Sequence, residues 1–315
     1  MKILSRPQGN AEEYGRWAVN PYKGCSHGCL YCYLKKGVWA NGLGGDTAEL
    51  KTDVVNDEHA YHLAMAEIIE HRDEIIRDGG LFMTFTSDPC VEETRELFFH
   101  LTASAIERGI PVTMLTKNAS FFQYGTLQAM LGDVHNLAAL TDEEVKRMAH
   151  DGLMFATWLG DLRVEIVKKR VAFGWTLTGH DELEPNASPN AERIATMKRM
   201  SDGGYKTWAS IEPVIDFPSA LDMVYQSVNA GCQHFKIGLL TNNTRLVRKD
   251  FAFGEHHFDA YKTNDCLRFV EDVMRVTDGK ATVYWKQSVR DLLNVDGNFI
   301  YQWPHSVGKG YSLFT

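Results

Sequence analysis

The sequence predicts an α/β fold, a parallel sheet clad in helices. Two observations carry this: short apolar strands alternate with helix-length segments of 3.6-residue period, and glycines close several of those helices. Trp17-Ala18-Val19 reads as the first strand. A helix is expected over 65–76, where Met65, Ile68, Ile69, Ile75 and Ile76 share a face and Gly79-Gly80 follow as a stop. Residues 81–86 read as the next strand. A helix carrying Leu97, Leu101, Ala105 and Ile106 ends at Gly109, before a strand over 111–116. A strand over 171–177 leads to a helix with Ile194 and Met197, stopped by Gly203-Gly204, and then to a strand over 207–211. The next helix, with Leu221, Val224, Tyr225 and Val228, stops at Gly231 before a strand over 234–239. About six βα units result, compatible with a full or partial barrel or a doubly wound sheet. In either form, function sits at the C-terminal ends of the strands. Residues 120–165 read as an insertion in the third unit, helical from Asp142 to His150. The expected division is a main domain over 1–240 and a C-terminal extension over 241–315 packed on it.

The composition is that of a water-soluble globular chain, and a formal net charge of −8 removes the simplest argument for binding a long duplex, whose phosphates are met by basic surface. The first residues lack a signal-peptide apolar core, and no run approaches the roughly 18 apolar residues of a membrane span. A cytoplasmic, membrane-free protein is expected. Six cysteines stand at 25, 29, 32, 90, 232 and 266. Three of them crowd into eight residues, which suggests metal in a reducing compartment rather than a disulfide framework.

That crowd lies in Asn20-Pro21-Tyr22-Lys23-Gly24-Cys25-Ser26-His27-Gly28-Cys29-Leu30-Tyr31-Cys32-Tyr33, directly after the first strand. Three thiolates from one short loop can hold a [4Fe–4S] cluster with its fourth iron open to a ligand, whereas electron-transfer clusters normally take four cysteines. The alternative is a zinc-stabilised binding module in which His27 completes a Cys₃His set. Zinc ligands usually come as two separated pairs, and no second pair follows here.

Cys-x₃-Cys-x₂-Cys with an aromatic residue before the last cysteine resembles the signature of the radical S-adenosylmethionine (SAM) superfamily. The fuller wording is similar to the branch of spore photoproduct lyase and DNA-repair-photolyase-like proteins, with a weaker likeness from about residue 17 to 240. The resemblance implies a partial (β/α)₆ barrel in which Cys25, Cys29 and Cys32 bind the cluster. The open iron holds SAM, and an electron from a flavodoxin- or ferredoxin-type donor releases a 5′-deoxyadenosyl radical that abstracts hydrogen from a substrate. It also implies a lyase or isomerase acting on a nucleobase or modified nucleotide, by DNA repair or by nucleic acid modification. Ser87 and Asp88, in Thr86-Ser87-Asp88, would accept from the SAM amino group. Lys117 would meet its carboxylate. Thr176 and Thr178 would serve the ribose or carboxylate, and Glu212 and Lys236 the adenosyl or substrate side. Glu184 and Arg193 also match relatives' wording, although Arg193 reads as a surface-helix residue.

The lyase proper has a hydrogen-donating cysteine just before Thr-Ser-Asp, and here that position is Phe85. Cys90, on the same strand-end loop, is the candidate catalytic thiol in its place. Cys232 and Cys266 read as structural. Tyr284-Trp285-Lys286-Gln287 reads as a strand, and the aromatic residues at 301–305 as barrel cover. Residues 41–45, Asn-Gly-Leu-Gly-Gly, read as a flexible loop, since no Lys-Ser/Thr follows to make a phosphate loop.

Overall fold

The computed structural model describes residues 2–35, 40–119, 164–240, 252–253, 256–257, 261–293, 302–309 and 311–314. The helix expected over 142–150 and nearly all of the expected insertion lie outside the described residues. Eight strands form the main sheet: β1 (Leu4–Ser5), β2 (Ala18–Val19), β3 (Leu81–Met83), β4 (Val112–Thr116), β5 (Val171–Thr176), β6 (Lys206–Val214), β7 (His234–Leu239) and β8 (Thr282–Trp285). Their order in the sheet is their order in the chain. Every neighbouring pair from β2 to β8 is parallel, and β1 lies antiparallel on β2. A doubly wound sheet reverses its strand order at a switch point. This one does not, so it is a singly wound, open α/β sheet.

Helices α1 (Asp57–Glu70), α2 (Arg72–Arg77), α3 (Arg95–Glu107), α4 (Asn190–Asp202), α5 (Phe217–Asn229), α6 (Thr263–Thr277) and α7 (Gln287–Leu293) accompany the strands. The helix expected over 65–76 is two. α1 starts earlier because Asn56 caps it, its Oδ1 accepting from His59 N–H at 2.8 Å. It ends at His71, whose backbone leaves the helical region. The break changes the phase, so Ile68 and Ile75 are buried while Ile69 is 52 % exposed. The last strand is also shifted: β8 ends at Trp285, and Gln287 opens α7. β8 extends the sheet beside β7. Among the described residues no helix is long and apolar enough to cross a membrane.

Alternate strand residues divide the sheet into two faces. Val112, Met114, Phe173, Ile211, Ile237 and Trp285 pack in the core beneath the helices. Phe82, Ala172 and Trp208 form a second cluster on the inner face. Gly174 makes that inner packing feasible. A Cβ there would lie 2.1 Å from Trp208 Cε2, so only a bare backbone lets the indole lie across β5 and donate its N–H to Met114 O at 3.2 Å.

The N-terminal segment enters this inner space. Lys236 Nζ donates to Glu13 O at 2.8 Å and Tyr14 O at 3.1 Å. Glu13 accepts from Tyr284 O–H at 3.0 Å and Gln287 N–H at 2.8 Å. Burial, aided by the charge of Lys286, pushes the Lys236 ammonium down to about 7. Between there and the ordinary lysine value near 10.4 the folded protein has lost this proton while the unfolded chain keeps it. The unfolded state then binds more protons, so stability contributed by this site rises with pH across that window. Lys236→Met should remove the rise. Urea denaturation at pH 7, 8 and 9 checks it, and equal pH slopes in both proteins would contradict it.

Candidate active site

The three clustered cysteines leave the sheet in the loop after Tyr22–Lys23, a short strand paired antiparallel with Glu49–Leu50. Gly24 has φ +77° and Gly28 φ +70°, the left-handed region that favours glycine. A Cβ on Gly24 would also lie 2.2 Å from Thr47 O. The loop is that close because the glycine stretch at 41–45 is part of its wall: Gly24 N–H donates to Leu43 O at 2.9 Å and Cys25 N–H to Gly45 O at 3.3 Å. The flexible-loop expectation for 41–45 gives way to a hydrogen-bonded support.

On its other side the loop rests on residues 183–188. Leu30 N–H donates to Leu183 O at 2.9 Å, and Asn186 bonds His27 O and Ser26 O through its backbone and side-chain N–H groups at 3.1 and 3.0 Å. Tyr31 O–H donates to Glu184, which pairs with Arg193 Nη2 at 2.6 Å, both side chains having no exposure. Arg193 also donates to Ser188 O at 2.6 Å and Thr176 O at 2.8 Å. The surface-helix expectation for Arg193 is therefore overturned: α4 turns it inward, onto the end of β5.

All six cysteines are free. Burial, with the nearby charge of Asp88, pushes the Cys25 thiol up to about 12. Burial raises Cys29 as well, against the pull of Lys117. Burial therefore disfavours the thiolate form of Cys25 and Cys29 unless a positive charge lies beside it.

Facing the loop, β3 ends in a tight turn. Thr84 sits at φ +54°, unusual for a β-branched residue. Asn20 supports it, its Oδ1 accepting from Phe85 N–H at 2.7 Å and Thr84 O–H at 3.3 Å. Beyond the turn, the Asp88 carboxylate gathers four donors. Oδ1 accepts from Cys90 N–H at 2.8 Å and Thr116 O–H at 2.7 Å, and Oδ2 from Lys117 N–H at 3.0 Å and His27 Nε2–H at 3.0 Å. Burial disfavours its charge, but His27 and these hydrogen bonds prevail and hold Asp88 below the usual carboxylate range. His27 Nδ1 lies 3.5 Å from Asn186 O. Both of its ring nitrogens thus face protein oxygens, and neither is turned to the thiols as a Cys₃His zinc site requires.

Two polar groups beside this network are unused. Ser87 Oγ is buried with no hydrogen-bond partner. Lys117 Nζ lies 5.5 Å from the centroid of the Tyr31 ring, with no ion pair among the described residues. Burial works against its charge, yet the thiolate of Cys29 and the carboxylate of Glu184 hold it above the ordinary lysine value. Thr178 is buried at the end of β5, its Oγ1 accepting from His180 N–H at 3.2 Å, and Thr176 is buried beside it. Glu212 lies across the mouth. Lys286 Nζ donates to both of its oxygens at 2.8 and 2.6 Å, and Tyr14 O–H donates to Oε2. The pair passes over Gly238, where a Cβ would lie 2.9 Å from Lys286 Cδ. Phe85 stacks on Phe82 with centroids 4.3 Å apart, and its carbonyl accepts from Tyr33 O–H.

Cys90 has no exposure and packs in the core beneath the helices. Burial, with the nearby charge of Asp88, raises its thiol well above the usual value, against the pull of the Thr116 hydroxyl.

No protein-family model matches the chain, and no curated protein does. Solved structures do. A spore photoproduct lyase point mutant matches with a TM-score of 0.55 at 15% identity, over 89% of this chain and 79% of that one. A spore photoproduct lyase double mutant with bound AdoMet and dinucleoside spore photoproduct matches with a TM-score of 0.53 at 15% identity, over the same shares. The fold is the radical SAM fold. SuiB of Streptococcus suis, bound to S-adenosylmethionine, matches with a TM-score of 0.51 at 12% identity, over 91% of this chain and 55% of SuiB. In this radical SAM fold the cysteine loop, Ser87, Lys117, Thr176 and Thr178 stand together at the C-terminal ends of β2 to β5. Glu212 stands apart, over β6 to β8.

The sequence did not single out Asn20, Tyr31, Tyr14 or Lys286. Asn20 and Tyr31 left a trace as parts of the motif wording, and Lys286 only as a residue of the last expected strand. Tyr14 and Lys286 meet Glu212 from opposite ends of the chain, and no local pattern marks that meeting.

Proposed function

We propose that the protein is a radical SAM enzyme acting on a nucleobase or nucleotide substrate. The observation that carries the reading is the juxtaposition of three free thiols on one strand-end loop with the unpaired Lys117 ammonium and the orphaned Ser87 hydroxyl. A buried hydroxyl without a partner is disfavoured unless a ligand satisfies it. In this reading Cys25, Cys29 and Cys32 would take iron, Lys117 would take the methionine carboxylate, and Ser87 would accept from the amino group. Thr176 and Thr178 serve the ribose side. Bound there, the cluster and SAM would supply a 5′-deoxyadenosyl radical for hydrogen abstraction, given an electron from a flavodoxin- or ferredoxin-type donor.

The nucleotide class is supported by the dinucleoside spore photoproduct bound to the structural neighbour and by the aromatic rings of Phe85 and Tyr33 at the mouth, which suit base stacking. The net charge of −8 favours a small nucleotide over a long duplex. With Phe85 in the lyase thiol's place and Cys90 in the core, the product radical would regain hydrogen from 5′-deoxyadenosine, as in an isomerase, rather than from a thiol.

Anaerobic reconstitution with iron and sulfide, then dithionite and SAM, should yield 5′-deoxyadenosine by mass spectrometry, and Cys29→Ala should reduce it to background. A colourless protein carrying one zinc would sink the reading.

A further inference from the structure

The Thr-Ser-Asp sequence invites the reading that both Ser87 and Asp88 meet the cofactor, but their chemistry in the fold is opposite. Ser87 Oγ has no partner. A carboxylate offers about four lone-pair sites, and all four on Asp88 are filled: Cys90 N–H and Thr116 O–H on Oδ1, Lys117 N–H and His27 Nε2–H on Oδ2. Asp88 is also buried, and its own carbonyl accepts from Thr94 O–H at 2.7 Å. No acceptor capacity is left for an ammonium group.

The four donors come from three separate pieces of chain. His27 lies within the cysteine loop, between Cys25 and Cys29. Cys90 lies on the loop after β3, and Thr116 and Lys117 end β4. No other carboxylate among the described residues ties these three pieces together. Resting on the proposed function above, we infer that Asp88 is a positioning residue. It anchors the cysteine loop through His27 and Lys117 through its backbone, so that thiols, Lys117 and Ser87 face one volume. The ligand-holding role falls to its neighbour Ser87. Charge-assisted hydrogen bonds suit this task, since they are shorter and stronger than neutral ones. Preorganisation is what such a site needs, because a ligand loop left to fluctuate loses the geometry of everything it holds.

The test compares Asp88→Asn, His27→Gln and the double variant. An amide at 88 offers one oxygen and turns an N–H₂ toward two of the four donors, and glutamine at 27 cuts only the loop-side link. In the metal-free protein, alkylation of Cys25, Cys29 and Cys32 by iodoacetamide, resolved by mass spectrometry, should accelerate about tenfold in either single variant, the factor set by losing a hydrogen bond to a charged group. The double variant should be no faster than the quicker single, because both changes cut one path. After reconstitution, KM for SAM in 5′-deoxyadenosine formation should rise in His27→Gln as it does in Asp88→Asn, agreeing to about twofold.

A large rise of KM in Asp88→Asn, with alkylation unchanged and His27→Gln behaving as wild type, would make Asp88 a direct SAM ligand and overturn the inference. If Asp88→Asn does not fold, His27→Gln decides alone, and unchanged alkylation overturns it. A wild-type protein that makes no 5′-deoxyadenosine would defeat the proposed function, while the alkylation arm still judges the anchoring.

Discussion

Arg193→Met should lower the free energy of unfolding by about 3–5 kcal/mol, the range found when one partner of a buried ion pair is removed. The side chain has no exposure and engages Glu184, Ser188 O and Thr176 O at once. Methionine fills much of the volume but leaves the Glu184 carboxylate buried with Tyr31 O–H as its remaining partner. Arg193→Met/Glu184→Gln should recover a large part of the loss, because it removes the stranded charge rather than the packing. Equilibrium urea denaturation of both variants measures this, and a loss below about 1 kcal/mol in the single variant would contradict it. The same change should loosen the cysteine loop, since Tyr31 sits between Cys29 and Cys32.

Gly174→Ala should cost about 2–4 kcal/mol, from overpacking together with the loss of a buried hydrogen bond. The added methyl would fall 2.1 to 2.6 Å from three atoms of the Trp208 ring. A rigid indole pinned by its N–H on Met114 O cannot yield as a flexible chain end would. It must tilt off β5, and Tyr14, packed against it with centroids 6.2 Å apart, must move too. Adding Trp208→Leu to Gly174→Ala should restore part of the stability by making room. Denaturation curves and near-ultraviolet circular dichroism read both effects; unchanged curves for Gly174→Ala would show that the ring moves freely.

The strands were legible because parallel strands covered by helices carry apolar runs such as Val171-Ala172-Phe173, and glycines mark the turns between elements. The cysteine motif placed the loop for the same reason: its chemistry is written in consecutive residues. What stayed hidden depends on contacts between distant segments. The break at His71 involves neither glycine nor proline, so Ile69 looked like core. Arg193 looked like a surface residue because its partners, Glu184 and the carbonyls of Ser188 and Thr176, are set by how the loop after β5 folds back. Asp88 and Ser87 are adjacent and both polar, and only their hydrogen bonds tell a saturated carboxylate from an unsatisfied hydroxyl. Cys90 shares a loop with them, yet is fully buried.

The segment at 13–14, clamped by Lys236 and Tyr284, staples the start of the chain to β7 and β8. Tyr14 adds ring contacts with Phe82, Phe85 and Trp208. A staple between residues 223 and 271 positions apart closes a long loop, and that closure costs chain entropy which a contact between near neighbours does not.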